Sequence, residues 1–399
     1  MKTLFGKKIP QILIVWAMIS YPIFAQIPPP VPVKSFGEDI IRQACGTKPR
    51  SVPKIIPKTD QARLAAVLPY TIKVYLTVFA DNDGSNRAST DADQMRQFNA
   101  MVSLFAPHNI CFVLLGIREV RNSDLNTQFT DEESDLNPHR IGGVFNIFTH
   151  AVVQRPDFVN LGGTAYDIPN TGAYVSLARS NLSNPNDIVT MAHEVGHALG
   201  LLHTFEPHPW DPLHGTESVT RVPGDVCWDC DVDGDYICDT PADPDQDNED
   251  SNTGPYLAVN TNESCVYTGN RVDECNQPYV PATNNVMSYG RWSCLNNFTV
   301  GQGNRMRYFL ATESDFQNIL APETLQQPTV FVPTLLYTSG GSWQVARDQV
   351  TLGGPGTSYQ VIQSAYQQIK SKRIVLKSGV RLAPNTFGAV HIATNPYCQ

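Results

Sequence analysis

The residues that could do chemistry lie close together in the segment HEVGHALGLLH. On a helix, His193 and His197 project from one face, so their imidazoles can bind one Zn²⁺. Gly200 can adopt the left-handed conformation that ends a helix, and the chain then turns back to bring in His203 as a third ligand. Three protein ligands leave a position for water, whose pKa zinc lowers to about 7. Glu194, beside the first ligand, is placed to take the proton of that water.

Strands and helices on both sides must position this segment. Apolar alternation predicts strands over residues 70–81, 110–120, 144–153 and 173–178. Helical spacing predicts helices in STDADQMRQFNAMVSLFA, from NPND through IVTMAHEVGHALGL, and in FTVGQGNRMRYFLA. This order predicts an α/β (α+β) domain in which the zinc-binding helix faces a cleft.

Further motifs carry a resemblance to a known family. The histidine segment is the extended signature of the metzincin metalloproteases, and NNVMSYG supplies their methionine turn. Together with GDYICDTPA and NFTVGQGNRM, these motifs resemble the pappalysin family, including its ulilysin-like bacterial enzymes, over about residues 40–315. The resemblance implies a metzincin fold with a horizontal cleft and an endopeptidase that hydrolyses peptide bonds in proteins.

The resemblance also implies roles for single residues. The three histidines would bind zinc, Glu194 would be the general base, and Met287 would form the hydrophobic floor beneath the metal. Tyr289 matches a family tyrosine that could hydrogen-bond the oxyanion of the tetrahedral intermediate. Family members often carry Asp after the turn methionine, whereas this chain has Ser288, so the hydrogen bonds of its turn need not be the usual ones.

One cysteine lies in the leader segment, within RQACGTKPR. Cys45 resembles the pro-segment cysteine of the family, whose thiolate can occupy the open zinc position, displace water and keep the enzyme latent. The chain has nine cysteines, so at least one is left without a cysteine partner. The alternative for Cys45 is a disulfide, for example with Cys111 or Cys398.

The pairing of the other cysteines cannot be read from spacing, because eight cysteines allow 105 pairings. The family resemblance implies two disulfides that pin the loops around the methionine turn, and a further pair looks local to the acidic loop. The expected pairs are Cys230–Cys275, Cys265–Cys294 and Cys227–Cys238.

The segment DCDVDGDYICDT suggests a calcium site. Its first acids precede a glycine as in the first half of a calcium-binding loop, but Thr240 stands where an EF-hand needs its bidentate Glu. The family binds calcium around its GD…DTP segment, which here would use Asp235, Asp239 and Thr240. A merely solvated acidic turn is the alternative.

The start of the chain indicates export. Lysines precede an apolar run over residues 9–25 that ends in YPIFAQ, which predicts a signal peptide. A membrane anchor is the alternative, but the run is short and contains prolines. We therefore expect a secreted, disulfide-permissive protein without stable membrane insertion after signal removal. The net charge of −9 argues against a nucleic-acid partner, and we expect a monomer that acts on protein or peptide substrates.

These patterns divide the chain. The expected parts are a signal peptide at 1–25, a pro-segment at 26–60, a catalytic domain at 61–320, a linker at 321–340 and a small all-β module at 341–399. The same residues are compatible with two other functions. A metal-dependent adhesin or binding protein would use the β module for recognition and need no Glu194. A zinc-stabilised structural protein would close the fourth metal position permanently with a protein ligand.

Overall fold

A computed structural model describes residues 44–45, 47, 50, 56, 69–157, 159–206, 217–244, 255–321, 329–346, 349–371, 373–385 and 388–393. The expected signal peptide, most of the pro-segment and Cys398 lie outside these residues. Within the described ranges, no helix is both long enough and apolar enough to cross a membrane.

An eight-stranded sheet forms the frame of the expected catalytic part. Its strands are β1 (Ala44–Cys45), β2 (Tyr70–Ala80), β3 (Ile110–Arg121), β4 (Thr127–Phe129), β5 (Phe145–His150), β6 (Val152–Gln154), β7 (Asn160–Thr164) and β8 (Tyr174–Ala178). The order is β3-β2-β5-β8-β7-β6-β4, with β1 on β7. Neighbours from β3 to β8 are parallel, whereas β7 runs antiparallel to both β8 and β6. The leader strand β1 runs parallel to β7.

Seven α-helices are described in this part of the chain. They are α1 (Asp91–Phe105), α2 (Ser123–Asn126), α3 (Arg179–Leu182), α4 (Thr190–Ala198), α5 (Tyr256–Val259), α6 (Val300–Thr312) and α7 (Ser314–Gln317), with 3₁₀ turns at Ala106–His108 and Glu133–His139. The expected strands and the three expected helices are present. The helix expected to open at NPND begins later, at Thr190, because Asp187 Oδ1 accepts hydrogen bonds from the backbone N–H groups of Val189 and Thr190 and so precedes the first turn.

Helices α1 and α4 pack together in the main core. Phe98, Met101 and Phe105 of α1 belong to the same buried cluster as Val195 of α4 and Leu76 of the sheet. Strands β5 and β8 are buried along their whole length, as expected for central strands covered on both faces. The zinc-binding helix is therefore anchored by apolar burial on the side that faces the sheet.

Three disulfides link the loop-rich region after the active-site helix, and two of them differ from the expected pairs. Cys265–Cys294 is confirmed, but the other bonds are Cys227–Cys275 and Cys230–Cys238, not Cys230–Cys275 and Cys227–Cys238. The turn that follows Cys230 is closed by hydrogen bonds from the N–H groups of residues 232 and 233 to the carbonyl oxygen of residue 229. This turn folds the chain back so that the Cα atoms of Cys230 and Cys238 lie 5.0 Å apart, and Cys227 is left to bond Cys275.

The last described part of the chain, residues 329–393, consists of β-strands. Its strands are β9 (Thr329–Val332), β10 (Leu335–Val345), β11 (Gln349–Leu352), β12 (Tyr359–Lys370), β13 (Arg373–Leu376), β14 (Val380–Pro384) and β15 (Ala389–Ala393). They form two all-parallel sheets, β13-β11-β9 and β10-β12-β14 with β15 on β12, around their own apolar cluster. The expected all-β module is present, but the expected linker at 321–340 is wrong in its second half, because β9 and the start of β10 lie there.

Candidate active site

The three expected histidines converge on one point. Helix α4 carries His193 and His197, whose Nε2 atoms are 3.1 Å apart, and the Nε2 of His203 lies 3.1 Å from that of His197. All three side chains are buried. Their Nε2 lone pairs therefore point to a common centre of the size that a zinc ion needs.

The opposite ring nitrogens are held by acceptors. Nδ1 of His193 lies 2.7 Å from the carbonyl oxygen of Val286, and Nδ1 of His197 lies 2.8 Å from that of Leu201. Nδ1 of His203 lies 3.1 Å from Glu206 Oε2. Acceptors at Nδ1 favour the proton there, so that the lone pair at Nε2 can bind a metal, as in many metal sites.

The turn between helix and third ligand depends on glycine. Gly200 has φ +103°, as the sequence predicts, and a Cβ at this position would lie 2.1 Å from Cδ2 of Phe309. The N–H of Leu201 then returns to the carbonyl oxygen of Gly196 at 2.9 Å, which turns the chain toward His203. Both the left-handed backbone and the close contact exclude a side chain at residue 200.

Cys45 completes the group as the sequence predicts. Its Sγ and the three Nε2 atoms all lie within 4.8 Å of one another, and it is a free thiol, so the alternative disulfide is excluded. Cysteine and histidine are the ligands that tetrahedral zinc prefers, so the residues present fit this ion. Burial, followed by the charge of Glu194, raises the pKa of the Cys45 thiol well above its ordinary value, and a bound cation would oppose both effects.

Thr47, two residues after the cysteine, engages the expected base. Its Oγ1 donates to Glu194 Oε2 at 2.9 Å and accepts from the backbone N–H of Ala165 at 2.6 Å. Its own N–H donates to Cys45 Sγ at 3.3 Å. Glu194 is buried beside Gly163 of β7, where a Cβ would lie 2.8 Å from Glu194 Cγ. Thr47 was not predicted as a site residue, although its short polar side chain two residues after Cys45 was a signal.

The methionine turn passes beneath the histidines. Met287 is fully buried, and its Sδ would lie 2.8 Å from a Cβ on Gly196 of α4. The hydroxyl of Ser288 donates to Asp243 Oδ2, which also accepts from Thr204 Oγ1 at 2.7 Å. The carboxylate that relatives often carry after the methionine is thus supplied by a residue 45 positions earlier in the chain. Sequence reading gave no signal for Asp243.

Tyr289 lies beside the metal ligands. Its ring centroid is 5.1 Å from that of His203 and 6.1 Å from that of His193. Its hydroxyl oxygen accepts a 2.9 Å hydrogen bond from the backbone N–H of Cys45. Phe205 stacks on His203 at 4.7 Å between centroids, which helps to hold that ring. Tyr289 therefore has its hydroxyl within reach of groups that occupy the fourth metal position.

The expected calcium residues lie together but differ in their contacts. Asp235 and Thr240 are fully buried, and Oδ1 of Asp235 accepts from the N–H of Ile237 at 2.9 Å. Asp239 instead uses both oxygens at the start of α6, accepting from Thr299 Oγ1 at 2.8 Å and from the N–H of Gly301 at 2.7 Å. Its carboxylate is therefore occupied by protein donors.

Glu217 is a buried acid that the sequence analysis missed. Both of its carboxylate oxygens are buried without a hydrogen-bond donor among the described residues, and Arg221 Nη2 lies 2.7 Å from Oε1 without hydrogen-bond geometry. Burial, followed by the charge of Asp235, raises the pKa of Glu217 well above its usual range. Gly234, at φ +59°, leaves the space beside this carboxylate, because a Cβ there would lie 2.6 Å from Glu217 Oε2.

Comparison with known proteins agrees with this geometry. Residues 162–311 match the family described as Peptidase_M43: Pregnancy-associated plasma protein-A. The chain is 25% identical over 275 residues to an extracellular metalloprotease of Colletotrichum graminicola, covering 65% of this chain and 84% of the relative. It is 26% identical over 261 residues to one of Podospora anserina, covering 62% of this chain and 76% of the relative.

Two solved structures match part of this chain. One is mirolysin in complex with compound 9, with TM-score 0.43 and 19% identity over 63% of this chain and 96% of that chain. The other is Tannerella forsythia mature mirolysin in complex with a cleaved peptide, with TM-score 0.41, the same identity and the same coverage. The family implies a catalytic zinc, and the histidine cluster fits it. The chain is therefore a metalloendopeptidase, and its residues 162–311 match the pappalysin family of metzincins.

Proposed function

We propose that this protein is an exported zinc endopeptidase, made as a latent precursor, that hydrolyses peptide bonds in proteins. The observation that carries the proposal is the grouping of Cys45 Sγ with three histidine Nε2 atoms, all within 4.8 Å of one another, next to a buried glutamate. A zinc ion held by three histidines, with a base beside it, can catalyse hydrolysis. A fourth zinc ligand from the leader can prevent it.

Each site residue has its own role in the proposed hydrolysis. The three histidines would hold a zinc ion, which would supply the Lewis acid that activates water and polarises the peptide carbonyl. Glu194 takes the proton at a carboxylate oxygen and can pass it on to the leaving amine. Tyr289 donates its hydroxyl proton toward the oxyanion that develops on the carbonyl oxygen. Strand β6 pairs with β7 only at Asn160 and Leu161, so the rest of that edge of β7 offers backbone groups on which an extended peptide can lie.

Latency rests on three contacts of the leader. Cys45 would supply the fourth zinc ligand, Thr47 Oγ1 donates to Glu194 Oε2, and β1 pairs with β7 at Leu161 and Gly163. The leader thus covers the metal position, the base and the peptide-binding edge together. Release of this segment would open all three at once.

Export and partners follow from sequence and relatives. The expected signal peptide, the disulfides and relatives named extracellular metalloproteases support secretion. We propose protein or peptide substrates, no nucleic-acid partner and a monomeric enzyme. We also propose that the described residues 69–321 form the catalytic domain and that 329–393 form the β module.

We further propose a structural calcium ion in the acidic loop. Glu217 and Asp235 are both buried carboxylates, and the charge of Asp235 opposes the ionisation of Glu217. A divalent cation with oxygen ligands relieves that repulsion. This proposal keeps Asp235 and Thr240 of the expected set, adds Glu217, and assigns Asp239 to the cap of α6.

The experiment compares two variants of the full-length chain after removal of the leader. Glu194→Ala should retain zinc and the melting temperature but cleave casein several orders of magnitude more slowly, because the base is lost. Glu132→Ala, at an exposed glutamate away from the histidines, is the control and should match the parent. Near-parent cleavage by zinc-loaded Glu194→Ala would overturn the mechanism and favour the binding-protein alternative.

A further inference from the structure

Beyond Cys45, the leader brings a cation onto an acidic surface. The Nη2 of Arg50 donates to Glu133 Oε2 in an ion pair, and the backbone N–H of Arg50 donates to Asp167 Oδ1 at 3.0 Å. The hydrogen bond to Glu133 is the main cause that raises the pKa of Arg50 above its ordinary value, and the charge of Asp167 adds to it. The guanidinium of Arg50 is thus paired with the carboxylate of Glu133, and its backbone N–H is bound by that of Asp167.

The two carboxylates that bind Arg50 also contact other residues of the fold. The hydroxyl of Tyr174, a buried residue at the start of β8, donates to the other oxygen of Glu133. Asp167 Oδ1 also accepts from the N–H of Ile168 at 2.8 Å. Arg140, the neighbouring cation, lies over the Tyr174 ring at 4.5 Å and donates to the carbonyl oxygen of Gly172. Both carboxylates are therefore also held by contacts with residues outside the leader.

This acidic surface lies only a few residues along the leader from Cys45 and the histidines. Cys45 pairs with Gly163 on β7, and Arg50 follows five residues later. Five residues of extended chain reach at most about 17 Å. A peptide that lies on the β7 edge with its scissile bond at the metal would therefore pass the surface within a few residues.

We propose that Glu133, with Asp167 and Tyr174, forms a binding site for a basic side chain of the substrate, which Arg50 occupies in the precursor. The inference rests on the proposed function and deepens it. The leader runs parallel to β7, and antiparallel pairing is slightly more stable per residue, so we assign the opposite direction to a productive substrate. In that direction the site accepts Arg or Lys three to five residues before the scissile bond.

The size of the effect follows from exposure. The side chains of Arg50 and Glu133 are 57% and 21% exposed, so water weakens their attraction. Exposed ion pairs of this kind are worth up to about 1 kcal/mol, which corresponds to about a five-fold change in kcat/KM. The site should thus bias cleavage by about two- to five-fold.

The test uses the full-length chain, activated by limited proteolysis, with mass spectrometry to verify removal of the leader beyond Arg50. Fluorogenic peptides share one scissile bond and carry a single Arg at each of the five positions before it or after it, and a neutral parent has Gln throughout. The readout is the ratio of kcat/KM for each Arg peptide to that for the parent, measured on the same enzyme. We expect a ratio of about two to five at one of the positions three to five before the bond.

Variants of Glu133 test whether its carboxylate causes that ratio. Glu133→Gln should bring it close to one, and Glu133→Arg should favour a Glu peptide at the same position. Glu132→Gln is the matched control and should keep the parent ratio. Cleavage of the neutral peptide with no preference for Arg before the bond, or a preference unchanged in Glu133→Gln and Glu133→Arg, would overturn this inference alone. Failure to cleave any peptide would overturn the proposed function and the inference with it.

Discussion

The hydroxyl of Thr47 donates a 2.9 Å hydrogen bond to Oε2 of Glu194, so a residue of the leader holds the base of the active site. The same hydroxyl oxygen accepts from the N–H of Ala165, at the end of the strand on which a peptide would lie. Thr47 therefore binds where a substrate and its attacking water would have to be.

Thr47→Val should weaken latency. Valine keeps the shape but cannot donate to Glu194 or accept from Ala165, and a hydrogen bond to a charged group contributes about 1.5–3 kcal/mol. We expect the intact precursor to process itself about 10-fold faster or more. Thr47→Ser, which keeps the hydroxyl, is the control and should behave like the parent. Equal processing rates for Val and Ser variants would show that the hydroxyl does not contribute.

Cys45→Ala separates ligand-based latency from simple covering of the cleft. If the thiolate binds zinc, the intact variant should cleave casein or process itself faster, because weaker contacts alone then hold the leader. X-ray absorption of the zinc-loaded parent precursor should show one sulfur at about 2.3 Å, and the variant should show none. A shell of nitrogen and oxygen only in the parent, with an inactive intact variant, would contradict ligation by Cys45.

Because Glu217 is buried, we expect the protein to need calcium more at high pH than at low pH. Its pKa is raised in the folded protein, so the stability from its protonated form is present below its unfolded pKa and is lost as pH rises toward the folded pKa. Without calcium, the melting temperature should fall between pH 5 and pH 9, and calcium at pH 8 should restore it by several degrees.

The Glu217→Gln variant tests whether Glu217 causes this pH dependence and this response to calcium. It should lose most of this pH slope and most of the response to calcium, because its amide carries no charge at any of these pH values. Glu263→Gln, at an exposed glutamate outside the cluster, should retain both. Thermal melting across a calcium titration checks this, and a flat curve in the parent would remove the calcium proposal.

Gly200→Ala should damage both the fold and the metal site. A left-handed backbone costs a residue with a Cβ about 1–2 kcal/mol, and the new methyl group would meet the ring of Phe309. We expect the melting temperature to fall by at least about 5 °C and zinc to bind more weakly, because His203 follows this turn. Gly142→Ala, where a Cβ would meet nothing within 4 Å, should be nearly neutral. A stable Gly200→Ala variant with parent zinc affinity would contradict this account of the turn.

The local parts of the site could be predicted from the sequence because they depend on helical geometry and on single backbone conformations. Two histidines four residues apart share a helix face whatever surrounds them, and Gly200 can turn the chain to His203 without reference to distant residues. Apolar periodicity likewise predicted the main strands and helices, because each element buries one side of its own pattern. The free Cys45 near the histidines came from resemblance to a family and agrees with the structure.

Long-range partners were decided only by the tertiary structure. Cysteine spacing cannot state which turn folds Cys230 back to Cys238, and two expected disulfides were therefore wrong. Asp243 meets Ser288, and Arg50 meets Glu133, across 45 and 83 residues of chain. Such contacts depend on how loops close over the core, since a hydrogen-bonding side chain carries no mark of its partner in the sequence. The sequence by itself determined the metal chemistry of this protein, and the packing of distant segments decided how that chemistry is supported and covered.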